Sequence, residues 1–222
     1  GRNAGWLTGE AALSAGEDCE GPDLIYLPEV AFDIEDFLSR VKKLLEKKPF
    51  VIAAVSEGIR LEDGRYVCEL TDGVDFVDAF GHKQLTGTAN YLARRLSQEI
   101  GCKTRSIELS SLQRAASHLA SRIDILEAFQ VGGAAVKAAD EGDTGEMVIL
   151  KRISDDPYQC TTELRNVHKV SNVEKTVPRE WINKNGTYVT EEFISYVRPL
   201  IQGDVSPVMV DGIPRYLYHK KK

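Results

Sequence analysis

Asp23 to Val55 reads DLIYLPEVAFDIEDFLSRVKKLLEKKPFVIAAV, and three patterns follow one another within it. Leu24-Ile25-Tyr26-Leu27 is a short apolar run closed by Pro28, the form of a buried strand. Asp33 stands where a helix N-cap belongs, with Asp36 three residues on in place of the usual Glu of a capping box. Ile34, Phe37, Leu38, Val41, Leu44 and Leu45 then recur at three- and four-residue steps, which puts one apolar stripe on a helix. Lys42, Lys43, Lys47 and Lys48 place positive charge in the later turns, as the helix dipole favours. Phe50 to Val55 is a second apolar run. Strand, amphipathic crossover and strand make a βαβ unit.

Outward from this unit the signals are less uniform. Asp63-Gly64 suggests the turn of a small hairpin in an irregular stretch over 60–80. Ala89, Leu92, Ala93, Leu96 and Ile100 mark a helix stopped by Gly101. Lys103 to Leu109 reads as a third strand. Helical sequence runs from about Ser117 to Glu141, with a break or shift expected at Gly132-Gly133, and Met147 to Leu150 reads as a fourth strand. Glu191 to Leu200 reads as a late helix. The class is α/β, a three-layer, mostly parallel sheet flanked by helices, with strands expected at about 24–27, 50–55, 104–109 and 147–151.

Composition excludes several roles. The 222 residues are 42% hydrophobic and 28% charged, as in a globular protein, and the net charge is −6. An acidic chain has no general attraction for nucleic acid or anionic membrane, and no apolar run approaches a membrane span. The closing His219-Lys220-Lys221-Lys222 reads as a solvated end. Cys19, Cys68, Cys102 and Cys160 form no C-x-x-C pair and read as reduced thiols of a cytoplasmic protein. His82, His118, His168 and His219 lack metal-ligand spacing, so no metal site is expected from the chain's own residues.

In open α/β sheets ligands sit beyond the carboxyl ends of the strands. Glu57 follows the second strand, Arg105 lies in the third, and Arg114 follows it. A carboxylate accepts hydrogen bonds from sugar hydroxyls, and planar guanidinium groups grip a phosphate bidentately, so a phosphorylated sugar suits this set. The same residues equally fit a loop charge and two surface ion-pair partners. His82 and His118 read as structural. There is no G-x-S-x-G, Walker A or G-x-G-x-x-G motif, hence neither a serine hydrolase site nor a self-contained nucleotide site.

Several motifs in order resemble the C-terminal half of a phosphofructokinase. GRNAGW at the start resembles the family's M-G-R-x-A-G-W segment without its Met. Pro28 to Phe32 matches P-E-V-x-F, and AVSEG at Ala54 to Gly58 matches the strand end that carries a sugar-binding Glu. KTRSIELSSLQRAASH from Lys103 resembles T-R-x-x-x-L-G-H-x-Q-R-G-G of the ATP-dependent bacterial enzymes. The likeness runs through roughly the first 150 residues. Ser110-Ser111 stand where those enzymes have Gly-His, and Ala115-Ala116 where they have Gly-Gly. These departures, with FGHKQLTGTANYLA at Phe80 to Ala93, are similar to the pyrophosphate-dependent branch.

The resemblance implies a phosphotransferase that converts fructose 6-phosphate to fructose 1,6-bisphosphate in glycolysis, with pyrophosphate as donor. The alternatives are ATP as donor, or a non-catalytic sugar-phosphate-binding regulatory subunit. It implies that residues 1–222 are the sugar-phosphate-binding part of a longer chain whose N-terminal donor-binding part is absent, so that this part alone is inactive. Arg2 would stabilise the transferring phosphoryl group, and Gly1, Arg2, Glu57, Arg105, Ser111 and Arg114 would bind substrate. Arg105 would reach a site shared with a neighbouring subunit of a homo-oligomer. Mg²⁺ would accompany the donor, held mainly by the missing part.

Overall fold

The strand–helix–strand expected at Asp23–Val55 is present. In a computed structural model that describes residues 3–70 and 87–215, β1 (Leu24–Tyr26) and β2 (Ala53–Val55) pair in parallel, Ile25 opposite Ala54. They are preceded by a short helix α1 (Trp6–Gly9) and joined by α2 (Ile34–Leu45). The Asp33 carboxylate caps α2, accepting from the backbone N–H of Glu35 at 2.8 Å and of Asp36 at 3.0 Å. Asp36 does not return to the cap as a capping-box residue would; its carboxylate takes the Arg40 guanidinium at 2.5 Å. Phe37, Leu38 and Val41 are the buried stripe of α2. Phe37 meets Tyr26 and Phe32, the three rings 4.9–5.6 Å apart between centroids. The second strand is shorter than the apolar run suggested, because Phe50 and Ile52 face solvent.

The chain divides into two compact units, Gly1–Glu108 with Glu174–Ser195, and Leu109–Val173 with Tyr196–Lys222. In the first, the Asp63-Gly64 turn forms as expected. Arg60 and Tyr66 bridge antiparallel around it, and Gly64 supplies the positive φ of 86°. α3 (Thr88–Ile100) packs beside α2 and lays Leu92 into the same core. The expected third strand is not formed. Residues 101–109 have no ladder partner among the described residues. Instead Thr104 Oγ1 donates to Ala93 O at 3.0 Å, and Ser106 Oγ donates to Asn90 Oδ1 at 2.6 Å. The segment keeps an alternating, strand-like exposure, but its polar side chains tie it to a helix.

The second unit begins with α4 (Ser111–Ala115) and the long α5 (Arg122–Asp140). Ser121 caps α5, accepting from Asp124 N at 3.1 Å and donating to Leu200 O at 2.7 Å. The break expected at Gly132-Gly133 does not occur; the helix runs through both. The fourth strand expected at 147–151 exists, but as one arm of an antiparallel hairpin, β3 (Glu146–Asp155) with β4 (Tyr158–Asn166). Asp155-Asp156-Pro157 makes the turn, and the return arm YQCTTELRN alternates as a strand should. Arg152 lies against the rings of Tyr158 and Tyr196 and donates to Tyr196 O at 2.6 Å. A last helix α6 (Glu191–Val197) and a two-residue hairpin, β5 (Met209–Val210) with β6 (Ile213–Pro214), complete the described residues. Among them, parallel pairing is confined to β1 and β2, so the expectation that these four segments lie mostly parallel in one sheet is corrected, while the helix-flanked α/β character of the first unit stands.

Candidate active site

Glu57 sits in the turn just past the carboxyl end of β2, where an α/β sheet presents ligand-binding groups. The turn is fixed by buried neighbours. Ser56 N donates to Tyr26 O at 3.0 Å, Ile59 N donates to Ser56 O at 3.4 Å, and Ile59 is fully buried. The buried Thr88 hydroxyl, in the first turn of α3, donates to Glu57 O at 3.3 Å. The Glu57 backbone is thus held while its side chain is exposed, with no ion-pair partner among the described residues. Nearby, burial pushes the Cys68 thiol up, and the negative charge of Glu69 adds to the effect.

Arg105 is exposed on the segment that Thr104 and Ser106 fasten to α3. The first two turns of α3 therefore anchor both the Glu57 turn and the Arg105 segment within the first unit. Ser111 and Arg114 belong to the second unit, both exposed on α4. Neither Arg105 nor Arg114 meets a carboxylate among the described residues, so the reading of both as surface ion-pair partners finds no support there. Ser110, at the N-cap of α4, has φ 47° and ψ −122°, a conformation suited to glycine. Gly1, Arg2, His82 and His219 lie outside the described residues.

A cluster that the sequence did not announce holds the segment after Arg2. Asn3 Oδ1 accepts from Arg60 Nη2 at 3.0 Å and from the Tyr66 hydroxyl at 2.9 Å, while Asn3 Nδ2 donates to Glu174 Oε1 at 3.2 Å. Arg60 also donates to the Tyr66 hydroxyl and lies 4.1 Å from the centre of its ring. Two residues further, Glu29 Oε1 accepts from Gly5 N and Val177 N, both at 2.8 Å, and Glu29 Oε2 is buried without a partner. Apart from Arg60 with Tyr66, these contacts join residues 24 to 171 positions apart, which no local pattern reveals. The local signals are GRNAGW, which contains Asn3 and Gly5, and P-E-V, which contains Glu29, and neither assigns these residues a role.

Among the described residues no group of three or more His, Cys, Asp or Glu could hold a metal ion. They offer Mg²⁺ no cage of their own. No described helix is long and apolar enough to cross a membrane, and all four cysteines are free thiols.

Glu57 thus stands at the carboxyl end of a parallel strand pair, and Arg105 and Arg114 lie on later segments, one in each unit, without carboxylate partners among the described residues. The phosphofructokinase family model matches residues 1–139, and the chain belongs to that family. It is 39% identical over 215 residues to a pyrophosphate–fructose 6-phosphate 1-phosphotransferase of Halomonas elongata, and 38% identical over 219 residues to one of Xanthomonas campestris. These alignments cover 97% and 98% of this chain, so the likeness extends well beyond the motifs of the first 150 residues. The chain spans about half the length of the curated relatives it matches, 50% and 51% of these two. The crystal structure of a pyrophosphate-dependent phosphofructokinase from Marinobacter aquaeolei matches all of the chain with a TM-score of 0.80 at 32% identity, over 52% of its own length. One from Nitrosospira multiformis gives 0.82 at 32% identity, over 98% of this chain and 50% of its own. The α/β phosphofructokinase-like class expected from the sequence is borne out.

Proposed function

We propose that residues 1–222 are the C-terminal, sugar-phosphate-binding part of a pyrophosphate-dependent phosphofructokinase. The observation that carries this reading is the 39% identity over nearly the whole chain to a relative named for that reaction. In the reaction the 1-hydroxyl oxygen of fructose 6-phosphate forms a bond to one phosphorus of pyrophosphate. The bridging P–O bond breaks, inorganic phosphate leaves, and the hydroxyl proton passes to a base outside this chain. Such transfers depend on positioning and on stabilising charge rather than on covalent help from the protein.

The roles divide by residue type. Glu57 accepts hydrogen bonds from sugar hydroxyls and fixes the ring. Arg114 grips the 6-phosphate of the sugar bound at its own subunit's Glu57, and Ser111 adds a hydroxyl where the ATP-dependent enzymes have His. Arg105 reaches a phosphate in a site completed by a second copy of the chain, which makes the working enzyme a homo-oligomer. Gly1 and Arg2 contact the substrate, and Arg2 neutralises charge on the phosphoryl group in flight. Mg²⁺ travels with the donor and is held from outside the described residues. The enzyme works in the cytoplasm, on small phosphorylated substrates and not on nucleic acid or membrane.

The test is to purify the full-length polypeptide that contains this chain and assay fructose 6-phosphate phosphorylation with each donor. Turnover with pyrophosphate and not with ATP is expected, and residues 1–222 alone should be inactive. Turnover with ATP only would overturn the donor. Turnover with neither, alongside tight fructose 6-phosphate binding, would make the protein a binding subunit. Turnover by residues 1–222 alone would mean that the chemistry has been placed in the wrong part of the protein.

A further inference from the structure

α5 is built to be covered on two opposite sides, and the described residues cover one of them. Ile123, Glu127, Val131, Ala134 and Ala138 recur at three- and four-residue steps and are half-buried, so they form its inner face. The Tyr158 hydroxyl donates to Glu127 Oε1, and Ala134 and Ala138 line one pocket with Val148, Thr162 and Leu164 of the β3–β4 hairpin. The hairpin is thus the neighbour of that face. Ile125, Phe129, Gly132 and Val136 recur at the same steps on the opposite side. All four are exposed, Phe129 to 79% and Val136 to 72%. A Cβ added at Gly132 or Gly133 would meet nothing within 4 Å, so the middle of this outer face is open. Ala128, Ala135 and Ala139 flank the row, and no charged side chain interrupts it.

A surface helix keeps a polar side for water, whereas a helix apolar on opposed sides belongs inside a protein. The second unit has little else to stand on. Among its described residues the one buried apolar side chain is Val197. Ordering such a unit costs conformational entropy that only further apolar burial can offset. Length indicates the occupant. The chain aligns with its relatives over 97% and 98% of its own residues, the second unit included, yet makes up 50% and 51% of theirs. Those relatives carry as much again in the same polypeptide. A partner on the same polypeptide stays at a high effective concentration however dilute the protein, whereas a second copy is lost on dilution. A unit without a core of its own needs the first kind.

We propose that the Ile125–Val136 face of α5 docks on an apolar surface of the N-terminal part of the full-length protein, and that the second unit folds together with that part. This rests on the reading of residues 1–222 as the C-terminal part of a longer enzyme.

The experiment uses the full-length protein and two measurements. Hydroxyl-radical footprinting compares side chains in the native protein with the same side chains in urea. Phe129 and Val136 should be oxidised at least about tenfold more slowly in the native protein, as the core residue Phe37 should be, and dilution should not change this. The second measurement places a photoreactive group on the face, as Phe129→p-benzoylphenylalanine, in a mixture of isotopically light and heavy subunits. Cross-links should run to peptides upstream of Gly1, and none should join light to heavy. Should that variant fail to fold, the same group at Ala128, on the rim of the face, replaces it.

Oxidation of Phe129 at its urea rate would overturn the docking. Protection that vanishes on dilution, or light–heavy cross-links, would overturn it in favour of a second copy. Cross-links confined to residues 1–222 would mean that the chain covers its own helix. Turnover with pyrophosphate in a protein whose Phe129 stays open would keep the proposed function and sink the interface. Upstream cross-links in a protein that turns over with neither donor would do the reverse.

Discussion

Two helices of this chain use their apolar residues in opposite ways. α2, of 12 residues, buries Phe37 to 1% of its surface between Tyr26 and Phe32. α5, of 19 residues, has no buried residue, and Phe129 keeps 79% of its surface exposed. The contrast extends to the units they belong to. Among the described residues almost every core residue lies in the first, whereas Leu112, Leu119, Phe129, Val136 and Ile153 of the second face solvent. The second unit is held by backbone ladders and caps instead: the β3–β4 hairpin, the Ser121 cap of α5, and Arg152 between two tyrosines. Apolar content alone therefore does not foretell a core. A stripe is buried only where another element presents a surface to receive it.

The largest effect expected from this contrast is at the two phenylalanines. Phe37→Ala should cost about 3–5 kcal/mol, the price of emptying a filled core site. Phe129→Ala should change the stability of residues 1–222 by less than about 0.5 kcal/mol, as an exposed site does. Urea titration of the two variants measures both. If Phe129→Ala costs as much as Phe37→Ala, that helix face is covered in solution and the difference between the units is illusory.

Next in size are the two arginines, one in each unit. A charge-assisted contact to phosphate is worth about 1.5–3 kcal/mol, so Arg105→Ala and Arg114→Ala in the full-length protein should each weaken fructose 6-phosphate binding by about tenfold to a hundredfold or more. Affinity for pyrophosphate should change much less. Hybrids assembled from Arg105→Ala and Arg114→Ala subunits should regain part of the activity, because some pockets then carry neither defect. Calorimetry and assay of the hybrids would sink the shared-site reading if Arg105→Ala leaves sugar-phosphate affinity intact or if no hybrid recovers.

The first unit was legible in sequence where its signals are local. Asp33, the stripe from Ile34 to Leu45 and the position of Glu57 each depend on neighbours within a few residues, and each is found as expected. Lys103 to Leu109 alternates without forming a strand, because alternation is necessary for a strand but not sufficient; a ladder needs a free edge beside it. The hairpin partner of 147–151 was missed for the converse reason, since an apolar run does not say which strand it will join. The pair Gly132-Gly133 does not break α5. A glycine costs a helix about 1 kcal/mol, which a cap and long runs of good helix formers on both sides outweigh. The Asn3, Arg60 and Tyr66 cluster was invisible because Asn3 meets its partners across 57 and 63 positions of chain.

A matched pair of glycines sharpens the comparison with one substitution. A Cβ at Gly9 would stand 2.5 Å from the Phe193 ring, which is fully buried, whereas a Cβ at Gly133 meets nothing within 4 Å. Gly9→Ala should therefore destabilise by about 1–3 kcal/mol through overpacking. Gly133→Ala, on an open helix surface, should stabilise by about 0.5–1 kcal/mol. Thermal denaturation gives both signs, and equal signs would remove the distinction drawn between a packed and an open unit.

The smallest effect concerns backbone rather than packing, and again separates the units. In the first, the described positive-φ positions are glycines, Gly87 and Gly101 at the ends of α3 among them. The non-glycine residues with positive φ, Ser110, Asn172 and Asp211, all fall in the second. Asn and Asp tolerate the left-handed region, but Ser110 at φ 47° and ψ −122° lies outside it and gains no side-chain hydrogen bond to α4 in return. Such a conformation stores about 1–3 kcal/mol. Glycine relieves it but gives back about 0.5–1 kcal/mol through the greater freedom of the unfolded chain. With the strain near the low end, about 1.5 kcal/mol, Ser110→Gly should therefore raise stability by about 0.5–1 kcal/mol. It should leave the KM for fructose 6-phosphate within about twofold, because Ser111 and Arg114 keep their place on α4. Urea titration with a parallel assay checks both. A loss of stability would mean that Ser110 is not strained, and a large rise in KM with stability gained would mean that the strain itself holds Ser111 and Arg114, the proposed phosphate-binding residues, in position.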